Sequence, residues 1–180
     1  MNFQTTQASW YGLCPKQVAK LFSFTALLIS ALLLFAQPTL AKESKSIEQI
    51  LALKQTPAGV VIEIVTWGGS NLEWALPRSQ EYIKKLRKAF PELPVAIVTH
   101  GAEQFALTND EKDENKEVHN LVQSLGDANV PVHVCETFAG WRGLSADDFP
   151  EYVNVAAAGP AQVNDYISLG YELIIIDQEE

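Results

Sequence analysis

The sequence lacks a basic cluster and a glycine-rich phosphate loop, and it contains only two cysteines, Cys14 and Cys135. Acidic residues outnumber lysines and arginines by 22 to 13, which gives a net charge of −9. An acidic chain of this kind argues against nucleic-acid and anionic-membrane partners. The pair Gly68-Gly69 follows a strand-like run but lacks the spacing of a dinucleotide-binding loop. The composition therefore excludes the commonest polyanion-binding functions.

A short apolar run near the start of the chain has the pattern of a secretory signal peptide. The run from Leu21 to Ala36 carries no charge, and Lys16 and Lys20 precede it. A small-x-small end follows, so the pattern predicts a signal peptide over residues 1–41 with cleavage after Ala41. An uncleaved membrane anchor is the alternative, although this run of 16 residues is shorter than the roughly 20 that a spanning helix needs.

Cleavage would leave a single mature domain of residues 42–180, long enough for a hydrophobic core. Its predicted location is the periplasm or the cell exterior, with no membrane contact after cleavage. Cys14 would be removed, so Cys135 would be the one cysteine of an exported protein. Structural disulfides need pairs. This thiol is therefore buried and inert, paired between two chains, or reactive, and the pattern leaves these three possibilities open.

Strand-like and helix-like segments alternate along the mature chain. Apolar, β-branched runs predict five strands, at residues 60–67, 94–100, 130–135, 152–156 and 172–177. Apolar residues at helical spacing predict helices at residues 46–54, 77–90, 118–126 and 160–170, and another helix near 145. This alternation predicts an α/β fold, a three-layer sandwich with a five-stranded, mostly parallel sheet.

The start of the second helix has two interpretations. Ser70 and Glu73 could cap a helix, but Pro77 would then lie inside it. We predict a start near Pro77, because the first turn of a helix does not use the N–H that proline lacks. The polar stretch 109–117 is predicted to be a solvated loop and helix start, since it lacks the ligand spacing of a calcium loop.

Candidate site residues lie where the predicted strands end. Ligand sites of open parallel sheets form at the carboxyl ends of the strands, and those ends hold Trp67, His100 and Cys135, with Arg142 in the next loop. A nearby cation favours the thiolate, which is the nucleophilic form of cysteine, and His100 or Arg142 could supply that charge. The helix predicted near Ser145 begins too far from the thiol to activate it.

A metal site is an alternative use of the same region. His133 lies two residues before Cys135, on the same face of the strand, and His100 ends the preceding strand. Imidazole and thiolate suit copper or zinc, but these residues show no recognised ligand spacing. The leading prediction therefore includes no metal. His119 is predicted to lie at the surface or boundary of its helix.

The segment CETFAGWRG resembles the cysteine segment of the DsrE/DsrF-like family, a group of small α/β proteins linked to sulfur transfer. Cys135 ends a strand, Ala139 follows, and the pair Arg142-Gly143 comes seven residues after the cysteine. The strand that ends in His100-Gly101 and the closing stretch SLGYELIIID are similar to the corresponding parts of the family. The resemblance spans about residues 60–177 and implies a DsrE/YchN-like fold.

The resemblance implies that Cys135 accepts sulfane sulfur as a persulfide and passes it on, without a metal or organic cofactor. It also implies a small sulfur donor or a thiol-bearing protein as partner, and a trimeric or hexameric homo-oligomer. The alternative is a ligand-binding or assembly module without catalysis on the same fold. In that case Trp67, Trp74 and Trp141 would line a pocket or a subunit interface.

Overall fold

The computed structural model describes residues 43–66 and 71–177 of the chain. These residues belong to one compact unit, Lys42–Glu180. The predicted signal peptide, residues 1–41, lies outside the described ranges, and so does Trp67, so both predictions stay predictions. Within the described ranges, no helix combines the length and the apolar character that crossing a membrane requires.

One sheet of five parallel strands forms the centre of the fold. The strands are β1 Val60–Ile64, β2 Val95–Thr99, β3 Val132–Cys135, β4 Asn154–Ala156 and β5 Glu172–Ile176. Their order across the sheet is β4-β3-β2-β1-β5, and each neighbouring pair is parallel. The predicted α/β fold with a five-stranded, mostly parallel sheet is confirmed.

Helices connect the strands on both sides of the sheet. In the described ranges the α-helices are α1 Ile47–Leu51, α2 Leu72–Ala89, α3 Lys116–Asp127, α4 Glu136–Gly140 and α5 Gly159–Ser168. Two short 3-10 helices, Ala102–Leu107 and Ala146–Asp148, follow β2 and α4. Ser46 caps α1 through the predicted capping box, in which its side chain and that of Gln49 bond each other's backbone N–H.

Alternate residues of the strands enter two separate apolar clusters. The larger cluster lies between the sheet and helices α1, α2 and α3, and it includes Ile62, Ile97 and Val134. The smaller cluster, beneath α5, consists of Val61, Val98, Val163 and Leu173, with partly buried neighbours. The sheet therefore has an α2/α3 face and an α5 face, and the three layers follow from the period-two alternation of the strands.

The predicted start of α2 near Pro77 is wrong. The helix begins at Leu72 and contains Pro77 in its second turn. Proline cannot donate to the carbonyl four residues before it, which weakens a helix. The side chains of Leu72, Ala75 and Leu76 are fully buried, and burial of this apolar surface offsets the lost hydrogen bond.

The helix predicted near Ser145 is a single 3-10 turn, Ala146–Asp148, which Ser145 and Asp148 close with a capping box. Pro150 ends it early, because the residue before a proline avoids the helical conformation. A helix that the sequence did not reveal, α4, begins instead directly after Cys135. Five residues are too few to show an apolar period.

Candidate functional site

Cys135 is the last residue of β3, at the carboxyl edge of the sheet, and it pairs in register with Ala156 of β4. After β3 the chain turns to the α2/α3 face, where Ala139 of α4 joins the larger cluster. After β4 it turns to the opposite face and forms α5. Neighbouring strands whose connections leave on opposite faces define a switch point, where open α/β sheets bind ligands. Cys135 occupies this switch point.

The Cys135 thiol is free, and the residue is 4% exposed. Cys135 is the N-cap residue of α4, and its Sγ accepts a hydrogen bond of 3.4 Å from the backbone N–H of Phe138. The sequence prediction placed the nearest helix start ten residues away, which is wrong because α4 follows the thiol at once.

The backbone of Cys135 is held by Gln104, a residue that sequence reasoning missed. The Cys135 N–H donates to Gln104 Oε1 at 2.7 Å, and Gln104 Nε2 donates to the Cys135 carbonyl at 3.3 Å. Gln104 is fully buried. Its signal in the sequence is a polar pair, Glu103-Gln104, enclosed by Ala102 and the apolar run that starts at Phe105.

His100 follows β2 and bonds Glu63 of β1, with 2.7 Å between its Nε2 and Glu63 Oε1. Both side chains are mostly buried. β2 and β3 are neighbours, so His100 and Cys135 follow adjacent strand ends, but the paired register stops at Val98↔His133 and the Cys135 backbone bonds Gln104 instead of β2. The structure adds Glu63, which orients the His100 ring. A contact between His100 and the Cys135 thiol stays a prediction.

The approach of α5 to this pair depends on a glycine. A Cβ built on Gly159, the first residue of α5, would collide with the side chain of His100. The helix can therefore begin against His100 because residue 159 has no side chain. This close contact explains the high burial of the Glu63–His100 pair.

Arg142 lies in the exposed loop after α4 and stacks on Phe105. Its Cζ is 4.0 Å from the centre of the Phe105 ring. Phe105 packs against Phe138, whose N–H bonds the thiol, with ring centres 5.5 Å apart. Trp141 packs on Phe138 at 5.3 Å and is 76% exposed. A guanidinium stacked on a ring keeps the N–H groups at its edge available for an anion.

His133 does not join the other predicted ligands. Its Nε2 lies 2.9 Å from the hydroxyl of Tyr166 on α5, and burial lowers its pKa from the ordinary value. In the described part of the chain, no three histidine, cysteine or acidic side chains are grouped in a way that could hold a metal ion. The residues His100, His133 and Cys135 thus give the metal hypothesis no geometric support.

His119 is fully buried, so its predicted place at the surface or boundary is wrong. Its ring bonds the hydroxyl of Tyr152 at 2.6 Å through Nδ1 and the Ala106 carbonyl at 2.9 Å through Nε2. Burial lowers the pKa of His119, and the Ala106 carbonyl partly opposes this effect. Two polar partners make the buried position possible, and the apolar stripe of α3 could not reveal them.

A model of the DsrE/DsrF-like family matches residues 68–175, more than half of the chain. This chain belongs to the DsrE/DsrF-like family. Membership gives it a sulfur-relay-like fold, as the resemblance implied. Among the curated proteins, none matches the chain.

Two solved structures share the fold. The protein of unknown function MTH1491 from Methanobacterium thermoautotrophicum is 17% identical, with a TM-score of 0.54. The ychN protein from E. coli is 16% identical, with a TM-score of 0.50. Each comparison covers 66% of this chain and 99% of the other chain. At this identity the likeness concerns the fold, which is DsrE/YchN-like as expected.

Proposed function

We propose that this DsrE/DsrF-like protein carries sulfur and that Cys135 accepts a sulfane sulfur atom and passes it on as a persulfide. The observation that carries the proposal is the position of the thiol at the switch point of the sheet, against the Phe138 N–H. Ligands of parallel α/β sheets bind at such points. Family membership also supports the proposal, because it gives this chain a sulfur-relay-like fold.

The transfer is a pair of thiol exchange steps. The Cys135 thiol gives its proton to a base, and the thiolate attacks the outer sulfur of a donor such as thiosulfate. A bond forms between the two sulfurs while the sulfur–sulfur bond of the donor breaks, and sulfite leaves with the electron pair. An acceptor thiolate then attacks the outer sulfur of the persulfide and releases the Cys135 thiolate. Neither step needs a metal or an organic cofactor.

His100 and Arg142 have separate roles in this proposal. His100, oriented by Glu63, lies at the neighbouring strand end and receives the thiol proton. Arg142, stacked on Phe105, attracts the anionic donor through its N–H edge. The partners are a small sulfur donor and a thiol-bearing protein, and the working form is an exported homo-oligomer, trimeric or hexameric.

A binding or assembly module without catalysis is the second candidate, because the thiol is 4% exposed whereas Trp141 is 76% exposed. An exposed tryptophan beside a stacked arginine suits an interface, where both residue types are enriched. Trp74 fits this role less well, since it is partly buried, packs on the larger cluster and donates to Asn71.

The deciding experiment is the intact mass of the protein after incubation with thiosulfate or polysulfide, in a Cys14→Ser background that leaves one thiol. We expect a gain of one sulfur atom, lost on addition of a reductant, and no gain in the additional variant Cys135→Ser. Arg142→Ala should load thiosulfate more slowly, by about tenfold for a lost charge-assisted contact. Equal loading with and without Cys135 would rule the proposal out. Failure to load, together with alkylation of native Cys135 no faster than that of a core cysteine, would favour the module.

A further inference from the structure

Glu103 and Gln104 are two consecutive polar residues that are both fully buried. They lie in the 3-10 helix Ala102–Leu107, directly after β2, and their neighbours Phe105 and Leu107 belong to the larger apolar cluster. Buried polar side chains are costly unless they are bonded. Each of the two is bonded, and their partners lie on three different strand ends.

The side chain of Gln104 makes the two hydrogen bonds to the Cys135 backbone that a neighbouring strand would otherwise make. The register of β2 with β3 ends at Val98↔His133, two residues before Cys135, whereas β4 remains paired with Cys135 itself. The N–H and the carbonyl of one strand residue point to the same side, which for Cys135 is the β2 side. The carboxamide of Gln104 meets both groups, at 2.7 and 3.3 Å. β2 and β3 can therefore separate at their ends without leaving the cysteine backbone unbonded.

Glu103 anchors the same 3-10 helix to the ends of β1 and β2. One carboxylate oxygen accepts from the N–H and the hydroxyl of Thr66, at 2.8 and 2.9 Å. The other accepts from the Gly101 N–H at 2.8 Å and from the Thr99 hydroxyl. Thr66 follows β1, and Thr99 ends β2. The 3-10 helix is therefore tied to two strand ends by Glu103 and to the third by Gln104.

We infer that Gln104 is a positioning residue for Cys135, which holds the backbone of the cysteine so that Sγ stays against the Phe138 N–H and shielded from solvent. The direction of the thiol depends on the N-cap geometry of Cys135, and that geometry depends on where β3 ends. Gln104 fixes that point through two hydrogen bonds to one residue. Positioning of Cys135 by Gln104 would serve the proposed sulfur transfer, so the inference rests on that proposed function.

The test compares Gln104→Met with Ser79→Ala in the Cys14→Ser background. Methionine is of similar length and makes neither hydrogen bond, whereas Ser79 is an equally buried residue of α2 that loses one hydrogen bond, to the Ala75 carbonyl, away from the thiol. We expect Gln104→Met to speed native alkylation of Cys135 by about tenfold through loss of two hydrogen bonds. Ser79→Ala should stay near the parent rate. Equal acceleration in both variants would reduce Gln104 to a general stability role.

A spectroscopic readout separates position from stability. With cysteine labelled by nitrogen-15, the backbone amide of Cys135 gives a single peak in the Cys14→Ser background, and Cys135→Ser assigns it. We expect the proton shift to move upfield in folded Gln104→Met, because the 2.7 Å bond is lost, and to stay in place in Ser79→Ala. An unmoved peak in folded Gln104→Met would overturn the inference.

A second variant covers a failure of Gln104→Met to fold. Gln104→Leu is shorter and also makes neither hydrogen bond, so alkylation should again accelerate and the Cys135 amide proton should again move upfield. A parent-like alkylation rate, or loss of the fold in both variants, would overturn the inference. Sulfur loading of the parent protein is scored separately. If the parent protein does not take up sulfur, the proposed function is wrong. The alkylation rates and the amide shift would still test whether Gln104 positions Cys135.

Discussion

The two faces of the sheet differ in how much apolar surface they bury. On the α2/α3 face, residues from four α-helices, the 3-10 helix Ala102–Leu107 and the strands form one large apolar cluster. On the α5 face, one helix covers a cluster of four buried residues. Beside it lie two polar pairs, Glu63–His100, whose side chains are mostly buried, and His133–Tyr166. The strand alternation also places Cys135 on this second face, with His133.

This difference indicates that stability and chemistry are distributed unequally over the two faces. The α2/α3 face supplies most of the buried apolar area, which is the main stabilising term in folding. The α5 face carries the ionisable side chains of Glu63, His100 and His133, each held by a polar partner. A sheet whose rigidity comes from one face can hold reactive groups at the edge of the other.

The two buried carboxylates give the largest expected contrast. Glu103 accepts four hydrogen bonds behind the α2/α3 face and is fully buried. Glu63, on the α5 face, is mostly buried, and within the described ranges its side chain hydrogen-bonds His100 alone. We expect Glu103→Ala to lower the free energy of unfolding by about 3–5 kcal/mol, because buried donors lose their acceptor. Glu63→Ala should cost less, about 1–2 kcal/mol, because only the His100 ring loses a partner. Urea unfolding measures both, and similar losses would contradict the unequal distribution.

Val60 and Val61 are a matched pair for the apolar contribution. They are consecutive residues of β1, both fully buried, and they point to opposite faces. We expect Val60→Ala to cost about 2–3 kcal/mol and Val61→Ala about 1–2 kcal/mol, since the smaller cluster can collapse around a cavity more easily. Chemical denaturation of the two variants checks this order. A larger loss for Val61→Ala would reverse the comparison.

The smallest expected contrast concerns pH. Burial lowers the pKa of His119, behind the α2/α3 face, and of His133, on the α5 face, from the ordinary value of 6.5. Below pH 6.5 the unfolded chain therefore binds protons that the folded chain does not. Stability is full above this pH and is lost as the pH falls through the folded pKa values, by at most about 1.4 kcal/mol per pH unit for each histidine.

The measurement is urea unfolding between pH 7 and 5 of the parent, His119→Gln and His133→Gln. Each variant should show a flatter decline of stability with falling pH than the parent. A decline that is unchanged in both variants would show that neither buried imidazole is linked to folding. A change confined to one variant would identify the face whose histidine contributes.

Most of the fold could be predicted from the sequence, because each strand is a β-branched apolar run and each long helix has an apolar stripe. The predictions failed at helix ends, where a capping or proline signal in the sequence did not decide where the helix begins or stops. Pro77 indicated a helix start, but the buried residues Leu72 and Leu76 extend α2 toward the N-terminus. Ser145 indicated a helix that Pro150 ends after one turn.

The candidate site could be predicted in part. The positions of Cys135, His100 and Arg142 follow from their places after strands, since the carboxyl ends of parallel strands meet at one edge. Their partners Glu63, Gln104 and Phe138 could not be predicted. Glu63 is 37 residues away from His100 in the chain, and Gln104 is 31 residues away from Cys135. No local pattern encodes contacts over such distances.

The sequence by itself determined the alternation of strands and helices, the acidic character and the cysteine at the end of β3. These features depend on residue type and on local periodicity, which survive without any folded context. Only the tertiary structure decided that α4 begins at the thiol, that Gln104 bonds its backbone, and that Arg142 stacks on Phe105. Such contacts depend on strand order and register, which arise when distant segments pack together.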